Sequence, residues 1–209
     1  MSRTEFQRKY VALAPQDPIE PAILNVGSCN DPMGFGLVAM HVDIDDWSKV
    51  CVHFTQSNAE HMPFPDKSYH TVILGDILEH VVRPNRVIEE AARVCSDTFV
   101  MTVFEEWRLP GPGQWIKEGQ AEGDKTTFKM GYADREDYQR QVFPERIGVD
   151  DNETPHLIHI NQFTDLDAKG WADLIQSLGF EPLEVLKEWE VQHEGHDIYN
   201  WLYAFKRRV

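Results

Sequence analysis

Asp76, Glu79 and His80 lie within one short stretch, GDILEHV (75–81). Two carboxylates and an imidazole so close together suit proton transfer, and an unperturbed histidine titrates near neutrality. His80 is the first candidate for a general base, with Glu79 and Asp76 behind it. A structural or helix-capping role for His80 is the competing explanation. Gly75, directly before Asp76, ends the apolar run YHTVILG (69–75).

A second set of candidates lies upstream. Gly27 and Ser28 follow the apolar run AILNV (22–26), in the stretch NVGSCNDPMGFG. A glycine there lets the backbone approach a ligand closely, and it also serves as an ordinary turn residue. Asp43 or Asp45 ends the run MHVDI. A carboxylate in that place can accept both hydroxyls of a ribose diol, or simply face solvent. In SNAEHMPFPDKSYHTV (57–72), Asn58 carries the donor and acceptor that match an adenine edge, Ala59 offers a backbone N–H, and Met62 can pack on the ring.

A third set lies beyond Phe104. Trp107 and Trp115 in EEWRLPGPGQW can wall an apolar or sugar-like acceptor, or pack their own segment, and Arg108 can pair with an acidic group. His156 and His159 in HLIHINQF stand three apart. A helix would make that a metal-ligand spacing, but the alternation of Leu157, Ile158 and Ile160 reads as a strand. They are expected in the acceptor site, and no metal is expected.

These sets need elements to hold them. Residues 1–12 read as a short amphipathic helix, ended by the prolines of APQDPIEP. The runs 22–26, 40–44, 51–54, 69–75 and 97–104 read as strands. PNRVIEEAARVC (84–95) reads as a helix entered by Pro84, with Val87, Ala91 and Val94 on one face. Strand, helix, strand at this spacing is a parallel βαβ unit. FTDLDAKGWADLIQSLGF (163–180) reads as a second helix closed by Gly179. EPLEVLKEWEVQ and YNWLYAFKRR read as a final antiparallel pair. The expected fold is α/β: a Rossmann-like, mostly parallel seven-stranded sheet, helices on both faces, and a C-terminal antiparallel hairpin. One domain spans 1–209, and residues 105–162 form an insert or lid on the acceptor side.

Composition narrows the function. The formal net charge of −15 opposes a large nucleic acid as partner, which needs a basic footprint. No apolar run reaches membrane-spanning length, and the N-terminus has no apolar core of a signal peptide. Cys29, Cys51 and Cys95 form no paired framework, so reduced thiols and a cytoplasmic setting are expected, and a homodimer stays open.

The order of these features, from ILNVGSCNDP through HVDIDDWS to SNAEHMPFPDKSYHTVILGDILEHVVRPNRVIEEAARVC, resembles the class I S-adenosylmethionine-dependent methyltransferases. It is most similar to the small-molecule branch containing ubiquinone and menaquinone biosynthesis enzymes, and the short opening resembles polysaccharide-associated members. The resemblance implies S-adenosylmethionine as cofactor, Gly27 as first glycine of the family loop, Asp43 as ribose acid, Asn58 and Ala59 at adenine, and Gly75 and Asp76 at the methionine end. It also implies methyl transfer to a small molecule, oxygen slightly ahead of nitrogen. The chain departs from the family loop pattern: Cys29 and Asp31 replace its second and third glycines, and little length remains for the usual first helix. Asp31 would repel the cofactor carboxylate unless turned away. A non-catalytic binding subunit, or other chemistry with the same cofactor, are the alternatives.

Overall fold

The computed structural model describes residues 1–29, 31–78, 81, 83–104, 115–120, 127–132, 148–149, 155–156, 168–193 and 196–208. Its centre is a seven-stranded sheet of β1 (Ile23–Val26), β2 (Ala39–Asp43), β3 (Phe54–Gln56), β4 (Tyr69–Gly75), β5 (Cys95–Phe104), β10 (Phe180–His193) and β11 (His196–Arg207). The spatial order is β10-β11-β5-β4-β1-β2-β3. β1 to β5 run parallel, and β11 is antiparallel to both β5 and β10. This is the expected mostly parallel sheet with a C-terminal hairpin. Two small antiparallel pairs lie outside it: β6 (Trp115–Gln120) with β7 (Thr127–Tyr132), and β8 (Gly148–Val149) with β9 (Pro155–His156).

Alternation along the strands divides the core into two layers. Leu24, Val26, Val72, Leu74, Phe99 and Met101 face one side and are covered by α2 (Pro84–Val94) and α3 (Ala168–Ser177). α2 begins at Pro84, whose missing N–H is harmless in a first turn, and buries Val87, Ile88, Ala91 and Val94. α3 buries Trp171 and Ile175, and Gly179 follows it with a φ of +93°.

Ile23, Ile73, Val100, Leu202 and Ala204 face the other side, under α1 (Arg3–Leu13). A capping box starts α1: the Ser2 hydroxyl accepts from Glu5 N–H, and the Glu5 carboxylate accepts from Ser2 N–H. Phe6, Gln7, Tyr10 and Val11 form its buried face. The connection from β1 to β2 contains only a 3-10 turn, Gly36–Val38, in place of a helix.

Within the main sheet one strand departs from expectation: β3 starts at Phe54 rather than at Cys51, with Val52 72% exposed and a bend at 52–53. β6 to β9 lie within 105–162, where the sequence was expected to form only an insert or lid. Among the described residues no helix is long and apolar enough to cross a membrane.

Candidate functional site

Ligands of open parallel sheets bind beyond the carboxyl ends of the strands. Three of those ends, from β1, β2 and β4, converge here. Gly27 leaves β1 with a φ of +71°, and its N–H donates to Val42 O at 2.8 Å. A Cβ on Gly27 would lie 2.7 Å from Ile77 Cδ1, so the turn after β1 and the segment after β4 pack without room for a side chain. Ser28 N–H also donates to Val42 O, at 3.2 Å. Beyond it Cys29 and Asp31 take left-handed backbone conformations, unusual for non-glycine residues.

Asp43 ties this loop to the end of β2. Its Oδ2 accepts from Cys29 N–H at 2.8 Å and its Oδ1 from Asp45 N–H at 3.1 Å. Asp43 is 8% exposed, and burial raises its pKa against the opposing pull of those amides. A buried acid held by two amides, each oxygen with a further lone pair, is a prepared acceptor for a diol. Asp45 contributes its backbone amide and stays partly exposed. The Cys29 thiol is pushed up to about 11, first by desolvation and then by the Asp43 and Asp45 charges, so it is a protonated thiol rather than a nucleophile.

Asp31 turns away from this centre. Its two carboxylate oxygens accept from Phe35 N–H and Gly36 N–H at 2.9 and 2.8 Å. The acid that replaces the third family glycine therefore caps the 3-10 turn.

Two buried polar atoms here have no partner among the described residues: Ser28 Oγ, on a residue 2% exposed, and Trp47 Nε1. Trp47 starts the turn after β2, which the N–H groups of Val50 and Cys51 close on Trp47 O. That turn sets the Cys51 sulfur 3.7 Å from the carbonyl oxygen of Cys29. Buried groups without partners are uncommon and costly, and a bound ligand supplies partners. The residues present thus fit S-adenosylmethionine: a glycine turn, an acid turned aside, a prepared carboxylate, and a hydroxyl without a partner.

The loop before β4 joins through Ser57 N–H, which donates to Asp43 O at 2.9 Å. Asn58 Oδ1 accepts from Glu60 N–H at 2.8 Å. Ala59 and Met62 are buried in the core layer under α2. The rest of the loop is fastened by Arg93 of α2. Its guanidinium donates to Met62 O, Phe64 O, Asp66 Oδ1 and both oxygens of Glu90, and Glu90 Oε2 also accepts from Met62 N–H. Three of the five donors of this planar fork thus hold the loop directly, and the other two hold Glu90, which accepts from the loop at Met62 N–H.

At the β4 end, Gly75 pairs with Thr102 of β5 and lies against α1: a Cβ there would be 2.8 Å from Gln7 Nε2. Gln7 Nε2 donates to Thr102 Oγ1 at 2.9 Å, and Thr102 Oγ1 donates to Asp76 Oδ1 at 3.0 Å. Arg3 Nη1 donates to Asp76 Oδ2. Asp76 itself has a φ of +52°, a strained conformation at the mouth of the sheet.

The structure therefore brings together Gly27, Ser28, Asp43, Asp45, Asn58, Ala59, Gly75 and Asp76, and sets Met62 in the adjoining core. Glu79, His80, Trp107, Arg108 and His159 lie outside the described residues. Trp115 and His156 lie on β6 and β9, whose backbone course alone is described. Sequence reasoning missed Arg3, Gln7, Trp47, Arg93 and Thr102. Only Arg93 had a local signal, its spacing of three from Glu90 on a helix.

The fold is that of the class I S-adenosylmethionine-dependent methyltransferases. A family model described as a methyltransferase domain matches residues 37–98. The chain is similar to an S-adenosylmethionine-dependent methyltransferase of Methanosarcina mazei, at 14% identity and a TM-score of 0.52, covering 88% of this chain and 91% of that one. It is similar to the 1,6-didemethyltoxoflavin-N1-methyltransferase of Burkholderia thailandensis, solved with 1,6-didemethyltoxoflavin and S-adenosylhomocysteine, at 11% identity and 0.51, covering 97% and 78%. It is also similar to the 4+2 cyclase SpnF, at 12% identity and 0.55, covering 97% and 80%. No curated protein matches the sequence.

Proposed function

We propose that this chain binds S-adenosylmethionine across the carboxyl ends of β1, β2 and β4 and transfers its methyl group to a small molecule, oxygen slightly favoured over nitrogen. The observation that carries this is the buried Asp43 carboxylate, held between Cys29 N–H and Asp45 N–H beside the unpartnered Ser28 hydroxyl. When bound, the cofactor supplies a methyl group on a sulfonium, already activated toward displacement. The protein's task is alignment and, where the acceptor needs it, proton removal.

Asp43 would hold the ribose hydroxyls, Asn58 Nδ2 and Ala59 N–H the adenine edge, and Gly27 and Ser28 the approach to the methionine end. His80 is the proposed base, with Glu79 near it in sequence. Trp107, Arg108, Trp115, His156 and His159 would form the acceptor side within 105–162. The quinone-biosynthesis branch remains the preferred relation because of MPFPDKSYHTVILGDILEHV. The likeness to a cyclase supports a second reading, in which the cofactor stays intact.

Calorimetric titration with S-adenosylmethionine and S-adenosylhomocysteine tests the cofactor. Saturable binding is expected, and Asp43→Ala should weaken it more than about tenfold, or about 1.4 kcal/mol. No binding by the folded protein would refute the proposal. With an acceptor supplied, release of S-adenosylhomocysteine identifies methyl transfer, and turnover with the cofactor intact identifies the cyclase-like alternative.

A further inference from the structure

The sequence marks α1 only as an amphipathic element, yet it places a guanidinium at the mouth of the sheet. Arg3 Nη1 donates to Asp76 Oδ2, and the rest of its fork has no acceptor among the described residues. The Arg3 side chain is 32% exposed and Asp76 20%, so a ligand can reach both. The position is not left to a loose ion pair. Arg3 N–H donates to Glu188 Oε2 on β10 at 2.9 Å, Gln7 closes on Gly75, and Gln7, Thr102 and Asp76 form a continuous hydrogen-bonded line. Farther along the helix, Lys9 Nζ and Tyr10 OH both donate to Glu184 of β10, at 2.6 and 2.7 Å. Gln7 is 1% exposed and Thr102 fully buried. Phe6 and Tyr10 anchor the helix below. α1 is therefore docked with one register, and Arg3 is presented rather than solvated at random.

We propose that Arg3 is a carboxylate-binding residue of the cofactor site, taking the carboxylate of the amino-acid end while α1 closes that end. This rests on the cofactor reading above. A planar fork with spare donors suits a carboxylate, which it can grip through two parallel bonds. The charge balance points the same way. Asp76 and Glu188 both contact Arg3, and an amino-acid carboxylate entering beside these acids needs a cation within hydrogen-bonding reach. The Arg3–Asp76 pair need not break, because among the described residues one of the Arg3 side-chain donors is engaged.

The test compares two probes in the full-length protein. S-Adenosylhomocysteine carries the amino-acid end, and 5′-methylthioadenosine has the same nucleoside without it. Wild type should bind the first more tightly. Arg3→Gln should weaken S-adenosylhomocysteine about tenfold and leave 5′-methylthioadenosine within about twofold. Arg3→Lys, which restores the charge without the fork, should recover part of the loss. Equal weakening of both probes would assign Arg3 a structural role and overturn the inference, as would no weakening of either. Where Arg3→Gln melts far below wild type, Arg3→Lys takes its place: selective partial weakening of S-adenosylhomocysteine supports the inference, and unchanged affinity for both probes or equal loss on both overturns it. If wild type binds neither probe, the cofactor reading fails first. If it binds both equally, only the role of Arg3 fails.

Discussion

Two loops border the candidate site, and they are held in opposite ways. Residues 27–36 after β1 depend on left-handed backbone at Gly27, Cys29, Asp31, Gly34 and Gly36, and enclose the unpartnered Ser28 hydroxyl. Their main side-chain anchors are Asp43 and Asp31, each accepting from two amides. In the loop before β4 only Lys67 takes a left-handed conformation, and residues 58–66 are clamped by a fully engaged guanidinium. The acids differ as well. Burial raises Asp43, whereas the hydrogen bonds from Arg93 lower Glu90. Ionising Asp43 thus costs stability, and ionising Glu90 contributes it. The first loop resembles a receptor awaiting a partner, and the second a rigid platform, a contrast common where a strained site is supported by its surroundings.

The largest expected effect comes from filling the space of the strained loop. Gly27→Ala puts a Cβ within 2.9 Å of three Ile77 atoms and in a left-handed conformation. A loss of about 2–4 kcal/mol is expected from overpacking and backbone strain together, with abolished cofactor affinity. Denaturant unfolding and calorimetry measure the two losses. A stable, binding-competent variant would show that the loop is not confined as described.

Breaking the platform should cost slightly less. Arg93→Ala leaves Glu90 and two loop carbonyls without their donor, and about 2–3 kcal/mol of destabilisation is expected. Arg93→Lys should restore little, because an ammonium lacks the fork. Glu90 supplies the pH dependence. Because its folded pKa is lowered, its contribution is complete above its unfolded pKa and is lost as pH falls through the folded value. Unfolding midpoints of wild type should therefore fall on acidification, and those of Arg93→Ala should fall less. Parallel pH profiles would remove the clamp from the comparison.

The smallest change sharpens the contrast. Ser28→Ala removes a buried hydroxyl with no partner among the described residues, so stability should hold or rise by up to about 1 kcal/mol. Cofactor affinity should fall several-fold. Lower stability with unchanged affinity would mean that the hydroxyl serves the fold.

Most of the sheet was legible from residues alone, because β-branched runs such as YHTVILG and the periodic face of α2 carry local patterns. The β3 boundary was misplaced because Val52, apolar in sequence, faces solvent. Asp43 was legible as a strand-end acid. Its bond to Cys29 N–H was not, since it depends on how a glycine-poor loop turns. The opposite lesson comes from Asp31, whose charge looked adverse until its capping of Phe35 and Gly36 was seen.

The sequence by itself determined the order of the main-sheet strands and of the helices that flank them, and the acids at the carboxyl ends of β2 and β4, because periodicity and residue type are local, whereas β6 to β9 carry no such pattern. Tertiary structure alone decided that Arg3 meets Asp76, 73 positions away, and that Gln7 fills the space left by Gly75. Such contacts have no local signature. They exist only because the apolar face of α1 packs on Ile73 and Val100, and that packing carries the polar residues of the same helix to the mouth of the sheet.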